Sequence, residues 1–236
     1  MLDMFRKKPQ GDGRKTVESV ALRGGFPDRV AKRKAVKIAV IDDQHFALKS
    51  ALERLDFRLT ELGDIETLDQ VSAFDIILCD IQGVGTKFLS EQQGAFVVKE
   101  IRRQYPEKFI VAFTGANLGN PLFRQAVAFA DSSIRKDSDA NEWVQHLDGI
   151  VDIIVDPRTY WRRIRRILID ADLDTSTILD LEDGYVRALE NPTSREAIEH
   201  YRAKASSLTV SPELRAAALR VSTSALIEVI KEAFRS

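Results

Sequence analysis

The chain has 236 residues, with 35 Lys+Arg against 36 Asp+Glu for a formal charge of −1, and its hydrophobic and charged fractions are 44% and 30%. That length and balance fit one large or two small globular domains and exclude a basic nucleic-acid coat or a polyacidic tail protein. A lone cysteine, Cys79, excludes an internal disulfide framework, and with only three scattered histidines beside it a structural zinc site is not expected.

The charge is unevenly placed, with net values of +6 over residues 1–34, −8 over 35–156 and +1 over 157–236. Residues 1–34 carry Pro9, Gly11, Gly13, Gly24, Gly25 and Pro27, and their apolar residues keep no sustained period. This block is expected to be a basic flexible or loosely docked arm, with the chain's own acidic middle a natural contact. Residues 1–10 lack the apolar stretch of a signal peptide, and no apolar run reaches the roughly 18 residues of a membrane helix. The expectation is a cytoplasmic protein without membrane contact.

From residue 35 to 155 strand and helix signals alternate. Lys37–Ile41 (KIAVI) is a short apolar, β-branched run suited to a strand buried on both faces. Phe46, Leu48, Ala51, Leu52 and Leu55 follow at helical spacing, then a strand over 57–62 and a short helix marked by Ile65, Leu68 and Val71. A third strand, 75–79, leads into Asp80, and a helix carrying Phe96, Val97, Ile101 and Tyr105 is closed by Pro106. A fourth strand spans 109–113, a helix 122–129, a short fifth strand 132–135, and a long helix carries Trp143, Leu147, Ile150, Val151 and Ile154. Five strands alternating with helices predict an α/β fold with a doubly wound parallel sheet.

Residues 156–236 show no strand pattern and predict an all-α C-terminal module. Asp156-Pro157 is a helix start, and Tyr160, Trp161, Ile164, Ile167 and Leu168 form an apolar stripe. Further helices are expected over 176–189, 194–206, 212–219 and 223–234. Arg162, Arg163, Arg165 and Arg166 flank the stripe and read as a solvated face paired with Asp170, Asp172 and Asp174. Neither that net charge nor any helix-turn-helix pattern supports nucleic-acid binding.

Ligands of doubly wound sheets bind beyond the carboxyl ends of the strands. Those ends carry Asp42-Asp43, Asp80, Thr114 and Lys136. Three carboxylates at one edge repel unless a cation joins them, and Mg²⁺ takes oxygen ligands of this kind. Asp80 then suits a phosphoryl-accepting nucleophile, with Asp42, Asp43 and the backbone carbonyl of Gln82 on the metal and Thr114 and Lys136 placed to contact phosphoryl oxygens.

Ile41-Asp42-Asp43, Ile76-Ile77-Leu78-Cys79-Asp80, Phe113-Thr114-Gly115 and Ile134-Arg135-Lys136 together resemble the receiver domain of two-component response regulators, over about residues 36–155. The resemblance implies the flavodoxin-like strand order 2-1-3-4-5. It also implies phosphorylation of Asp80, with Mg²⁺, by a histidine kinase or phosphotransfer partner. It makes the chain a signalling protein, not an enzyme, whose helical tail transmits the change by dimerisation or partner binding. This sequence departs from the family in a longer stretch (83–93) before Gly94, in Ser133 where the family places an aromatic switch residue, and in Asp137 after the lysine. Those departures leave room for a receiver-like scaffold that works without phosphate. A haloacid dehalogenase-type phosphatase fits less well, because Gln82 stands where that family has its acid. Cys79 is expected in the core. His45 follows the acid pair and is expected at a surface helix start, with tuning of the metal site the alternative; His146 is expected in the fifth helix, and His200 is only a weak candidate for phosphotransfer.

Overall fold

The computed structural model describes residues 13–20, 28–88, 91–115 and 119–222. In chain order these residues form α1 (Arg29–Ala35), β1 (Lys37–Ile41), α2 (Lys49–Glu53), β2 (Arg58–Glu61), β3 (Ile76–Asp80), α3 (Gln93–Gln104), β4 (Phe109–Thr114), α4 (Pro121–Val127), β5 (Ser132–Arg135) and α5 (Ala140–Val155). They continue with α6 (Pro157–Asp170), α7 (Thr175–Glu190), α8 (Arg195–Ser206) and α9 (Pro212–Val221). Short 3₁₀ turns lie at Val17–Ser19, Leu68–Val71 and Thr86–Phe88.

All four strand pairings are parallel, in the order β2-β1-β3-β4-β5, the flavodoxin-like order. Because successive side chains point to opposite faces and both faces are covered, residues 38–41 are all apolar and only Lys37, at the exposed start of the strand, is charged. Ile38 and Val40 enter a core with Phe46, Phe113, Trp143 and Leu147, while Ala39 and Ile41 enter the opposite one with Val97, Ile101 and Phe123. On the first face Phe46, Phe113 and Trp143 pack as a tilted to edge-on aromatic trio, with centroids 5.2–5.8 Å apart. Between β2 and β3 the expected helix is a 3₁₀ turn, Leu68–Val71, capped by Thr67 and Gln70. Four residues offer too few hydrogen bonds to repay helix nucleation. The helix expected around Phe46 to Leu55 is likewise cut to Lys49–Glu53.

The tail is helical, as its pattern predicts, with its own core of Tyr160, Trp161, Ile164, Leu181, Tyr185, Leu189 and Tyr201. Asp156 breaks the path from α5 to α6: its backbone is extended (φ −88°, ψ 112°), its side chain accepts from Arg158 N, and Pro157 takes the first helical position. The tail is therefore not a continuation of α5. The helix expected over 223–234 lies outside the described residues.

Of the expectations for residues 1–34, the described parts are docked and not free, in part on the acidic middle block and in part on the tail. Val17 and Val20 are 2% and 5% exposed and belong to the tail's core. Around them Val17 N donates to Glu182 Oε1 (2.9 Å), Lys15 N to Asp183 Oδ1 (2.9 Å), and Arg14 pairs with Asp180 (2.8 Å). Farther along, α1 lies on α5, with Arg33 in a bidentate pair with Asp148 (2.7 Å for each bond) and Lys32 paired with Asp152 (2.7 Å). The basic block thus neutralises carboxylates on α5 and α7. The near-neutral total of 157–236 concealed the acidic face of α7.

Candidate phosphoacceptor site

Parallel pairing with Ile41 opposite Cys79, Asp80 opposite Phe113 and Thr114 opposite Arg135 brings the carboxyl ends of β1, β3, β4 and β5 to one edge. Asp42 and Asp80 are buried there (3% and 5% exposed), and Asp43 is exposed. One carboxylate oxygen from each of the three lies within 4.8 Å of the others. Lys136 Nζ reaches into the group, 2.8 Å from Asp80 Oδ2 and 3.0 Å from Asp42 Oδ1. Burial disfavours its charge, but the hydrogen bonds and negative charges of Asp42 and Asp80 outweigh that and raise its pKa above the ordinary lysine value.

Thr114 is 1% exposed at the end of β4, and its carbonyl accepts from Lys136 N (3.0 Å), which ties β5's last turn to the site. Gln82 is held through its main chain, its N–H donating to Asp80 Oδ1 (3.2 Å). Every residue singled out at the strand ends therefore belongs to one neighbourhood. Ser133 is exposed on β5, so no aromatic ring flanks Thr114 from that position.

The donor set suits a hard divalent cation. It consists of oxygens only, and three carboxylates face a single ammonium. Asp42 Oδ2 is buried and lies 2.8 Å from Lys136 Nζ as its ion-pair partner, with no further hydrogen bond among the described residues.

Two residues that sequence reasoning passed over shape the stretch beyond Asp80. Asp64 accepts from Gly85 N (2.6 Å), Thr86 N (3.1 Å) and the Thr86 hydroxyl, and so staples the loop to the segment after β2. Gln93 Oε1 accepts from Gly83 N (3.2 Å). Gly83 has φ +77°, and a Cβ there would fall 2.5 Å from the Asp43 carboxylate, so only glycine lets this turn close on the acid pair. An aspartate after a glycine is ordinary in sequence, and nothing short of the fold reveals that it faces residue 86.

Cys79 is fully buried, and burial pushes its thiol pKa up, as a core role requires. His45 pairs with Glu61 (2.9 Å), and His146 Nε2 lies 2.9 Å from Ser132 Oγ. His200 is exposed on α8. The arginines of α6 depart from the expected solvated face. Arg166 does pair with Asp170 (3.1 Å) and Arg162 with Glu18 (2.6 Å), but Arg163 turns inward. It pairs with Asp131 (2.5 Å), donates to Lys108 O (2.8 Å) and stacks 4.1 Å over the Phe109 ring. Asp131 is shared with Arg102 of α3 (2.5 Å). No described helix is long and apolar enough to cross a membrane.

No protein-family model matches the chain, and no curated protein sequence does either. Among solved structures, a CheY-like response regulator receiver domain protein from Methanospirillum hungatei is similar at 21% identity, covering 50% of this chain and 94% of its own, with a TM-score of 0.40. A response regulator from Thermotoga maritima is similar at 19% identity, covering 50% and 98%, with a TM-score of 0.41. A response regulator from Burkholderia pseudomallei, solved with a phosphorylated aspartic acid, calcium ion and citrate, is similar at 20% identity, covering 61% and 89%, with a TM-score of 0.38. The strand order and register of the sheet stand independently of these likenesses.

Proposed function

We propose that this chain is a phosphorylation-dependent response regulator in which Asp80 accepts a phosphoryl group from a histidine kinase or phosphotransfer partner. The observation that carries the reading is the placement of Asp42, Asp43 and Asp80 within reach of one cation while Lys136 Nζ contacts both buried carboxylates. Mg²⁺ would be held by Asp42, Asp43, Asp80 and the Gln82 backbone carbonyl, and when bound it neutralises charge on the oxygens of the transferring group.

In the transfer, one Asp80 carboxylate oxygen forms a bond to phosphorus. The bond from phosphorus to the donor atom breaks, and its electron pair leaves with the donor. Lys136 stabilises charge on the phosphoryl oxygens, and the Thr114 hydroxyl donates to one of them. Phosphorylation replaces the −1 of the Asp80 carboxylate by an acyl phosphate of about −1.5 to −2, a net gain of about −0.5 to −1, and sets that charge farther out from the strand end. Lys136 can exchange its Asp42 contact for a phosphoryl oxygen, which pulls the start of the β5–α5 connection with it. Moving a two-state surface from 1:99 to 99:1 needs ~5.5 kcal/mol of differential interaction, so one such exchange gives a partial shift. The helical tail then transmits the shift by self-association or partner binding. Thr114 has no aromatic partner at residue 133, so the change travels through the lysine and the backbone.

Acetyl phosphate with Mg²⁺ tests this reading. Wild type is expected to gain one phosphoryl group by intact mass, and EDTA or Asp80→Asn to abolish the gain. Lys136→Met should retain labelling and lose any change in solution mass that accompanies it. Labelling that persists in Asp80→Asn defeats the assignment. A wild type that neither labels nor binds beryllofluoride leaves the phosphate-independent scaffold.

A further inference from the structure

Just beyond Asp80 the chain turns back on the acid pair, and two side chains outside that pair hold the turn. Gly83 and Gly85 have φ of +77° and +82°, and Val84 between them is fully buried in the core that holds Ile81, Val97 and Ile101. Asp64, from the segment after β2, grips the turn from one direction. Its Oδ1 accepts from Gly85 N (2.6 Å), and its Oδ2 accepts from Thr86 N (3.1 Å) and from the Thr86 hydroxyl. Gln93, at the start of α3, grips it from another, with Oε1 accepting from Gly83 N (3.2 Å). Gln93 is itself held at φ +48°, in the left-handed region that favours glycine. An added Cβ on Gly85 would fall 2.6 Å from the Gln93 carbonyl oxygen, so the turn and the start of α3 lie directly against each other.

What the turn fixes belongs to the acid pocket. Gln82 is its first residue, and Gly83 stands against Asp43, the exposed one of the three carboxylates. The position of the turn therefore sets both the place of the Gln82 carbonyl and the room left to the Asp43 carboxylate. Two glycines give such a turn its shape but also the widest freedom to leave it, because neither has a side chain to anchor it. The hydrogen bonds to Asp64 and Gln93, with the buried Val84, supply the anchor. Asp64 also lies in the same negative field as the acid pocket. Burial first, then the charges of Asp80, Asp42 and Asp64, raise the pKa of the Cys79 thiol. Gln93 adds no charge, so the two residues share the clamp and differ in electrostatics.

We propose that Asp64 and Gln93 are positioning residues of the phosphoacceptor site, which clamp the turn after Asp80 so that the Gln82 carbonyl and the Asp43 carboxylate stand ready for a divalent cation. The proposal rests on the phosphoacceptor reading and adds to it the residues that make the longer stretch after Asp80 compatible with a metal. Neither residue touches the cation. Both act through the main chain of residues 83–86. A ligand group already held in place need not be ordered when the cation binds, and losing an outer partner of this kind typically weakens metal affinity by about 10–100-fold.

Isothermal titration of the full chain with Mg²⁺, without any phosphoryl donor, tests the proposal. Wild type should bind, and Asp64→Ala and Gln93→Leu should each bind about tenfold more weakly. Gln93→Leu changes no charge, so its loss reports positioning alone. Asp64→Asn keeps one acceptor oxygen and should fall between wild type and Asp64→Ala, and Gln93→Glu keeps an acceptor for Gly83 N and should bind at least as well as wild type. Without metal, amide exchange should quicken at Gly85 and Thr86 in Asp64→Ala and at Gly83 in Gln93→Leu. Arg220→Met, which breaks the Glu107 pair at the opposite edge of the sheet, should leave Mg²⁺ affinity unchanged and so separates positioning from lost stability. If wild type binds Mg²⁺ and both Asp64→Ala and Gln93→Leu bind it equally well, the proposal is overturned and the phosphoacceptor reading stands. The same follows if Arg220→Met weakens binding as much as they do. A wild type that binds no Mg²⁺ overturns both.

Discussion

Two helical glycines set a test with opposite signs. Gly94, the second residue of α3, lies against the end of β3, where an added Cβ would fall 2.1 Å from the Asp80 carbonyl oxygen and 2.7 Å from Ile81 Cα. Both neighbours are backbone, and the Gly94 N–H donates to Ile81 O (3.3 Å), so neither can rotate away. Carbon and carbonyl oxygen approach comfortably at about 3.3 Å, so Gly94→Ala forces α3 to retreat by about 1 Å. Overpacking of this kind costs roughly 1–3 kcal/mol, of which the helix preference of Ala returns at most about 1. A net loss of about 1–2 kcal/mol follows.

Gly149 in α5 has no atom within 4 Å of its added Cβ, so Gly149→Ala should gain about 0.5–1 kcal/mol. The two variants should differ by about 2–3 kcal/mol in urea denaturation, or some 5–10 °C in melting temperature for a chain of this size. At the proposed Mg²⁺ site Gly94→Ala should also weaken binding, because whatever movement α3 does not take up falls on the Asp80 backbone it presses against. Equal stability of Gly94→Ala and wild type, or shifts of the same sign in both variants, would refute the close approach of α3 to β3.

Other consequences follow from buried charge. Glu107 is 5% exposed and paired by Arg220, so Arg220→Met leaves a buried carboxylate unpaired and should cost about 3 kcal/mol in a denaturant titration; Glu107→Gln in the same chain should recover most of it. Lys108 has a pKa of about 8 when folded and the ordinary 10.5 when unfolded. Below pH 8 the full cost of its buried charge is present. From pH 8 to 10.5 the unfolded chain holds a proton the folded chain has released, so stability should rise by up to about 3 kcal/mol. Urea titrations across that range should show this rise in wild type and not in Lys108→Met, and the same slope in both would be the contrary result. Burial lowers the pKa of His146, so the unfolded chain takes up its proton first as pH falls below 6.5. Stability should drop there, and His146→Gln should flatten the drop.

The sequence by itself determined the sheet and the tail as separate apolar patterns, and it placed Asp42, Asp43, Asp80, Thr114 and Lys136 at strand ends. A strand buried on both faces must be apolar throughout, and a polar residue that ends such a run marks its exit from the core. Local pattern carries that much because side-chain period and burial are properties of neighbours along the chain. Only the tertiary structure decided that Arg163 and Arg220 serve the joint with the sheet and not a solvated face. It also decided that Val17 and Val20 complete the core of the tail and that Asp64 staples the loop beyond Asp80. Each of these contacts joins residues tens of positions apart. A charge reveals its sign in the sequence, but its partner is chosen by packing.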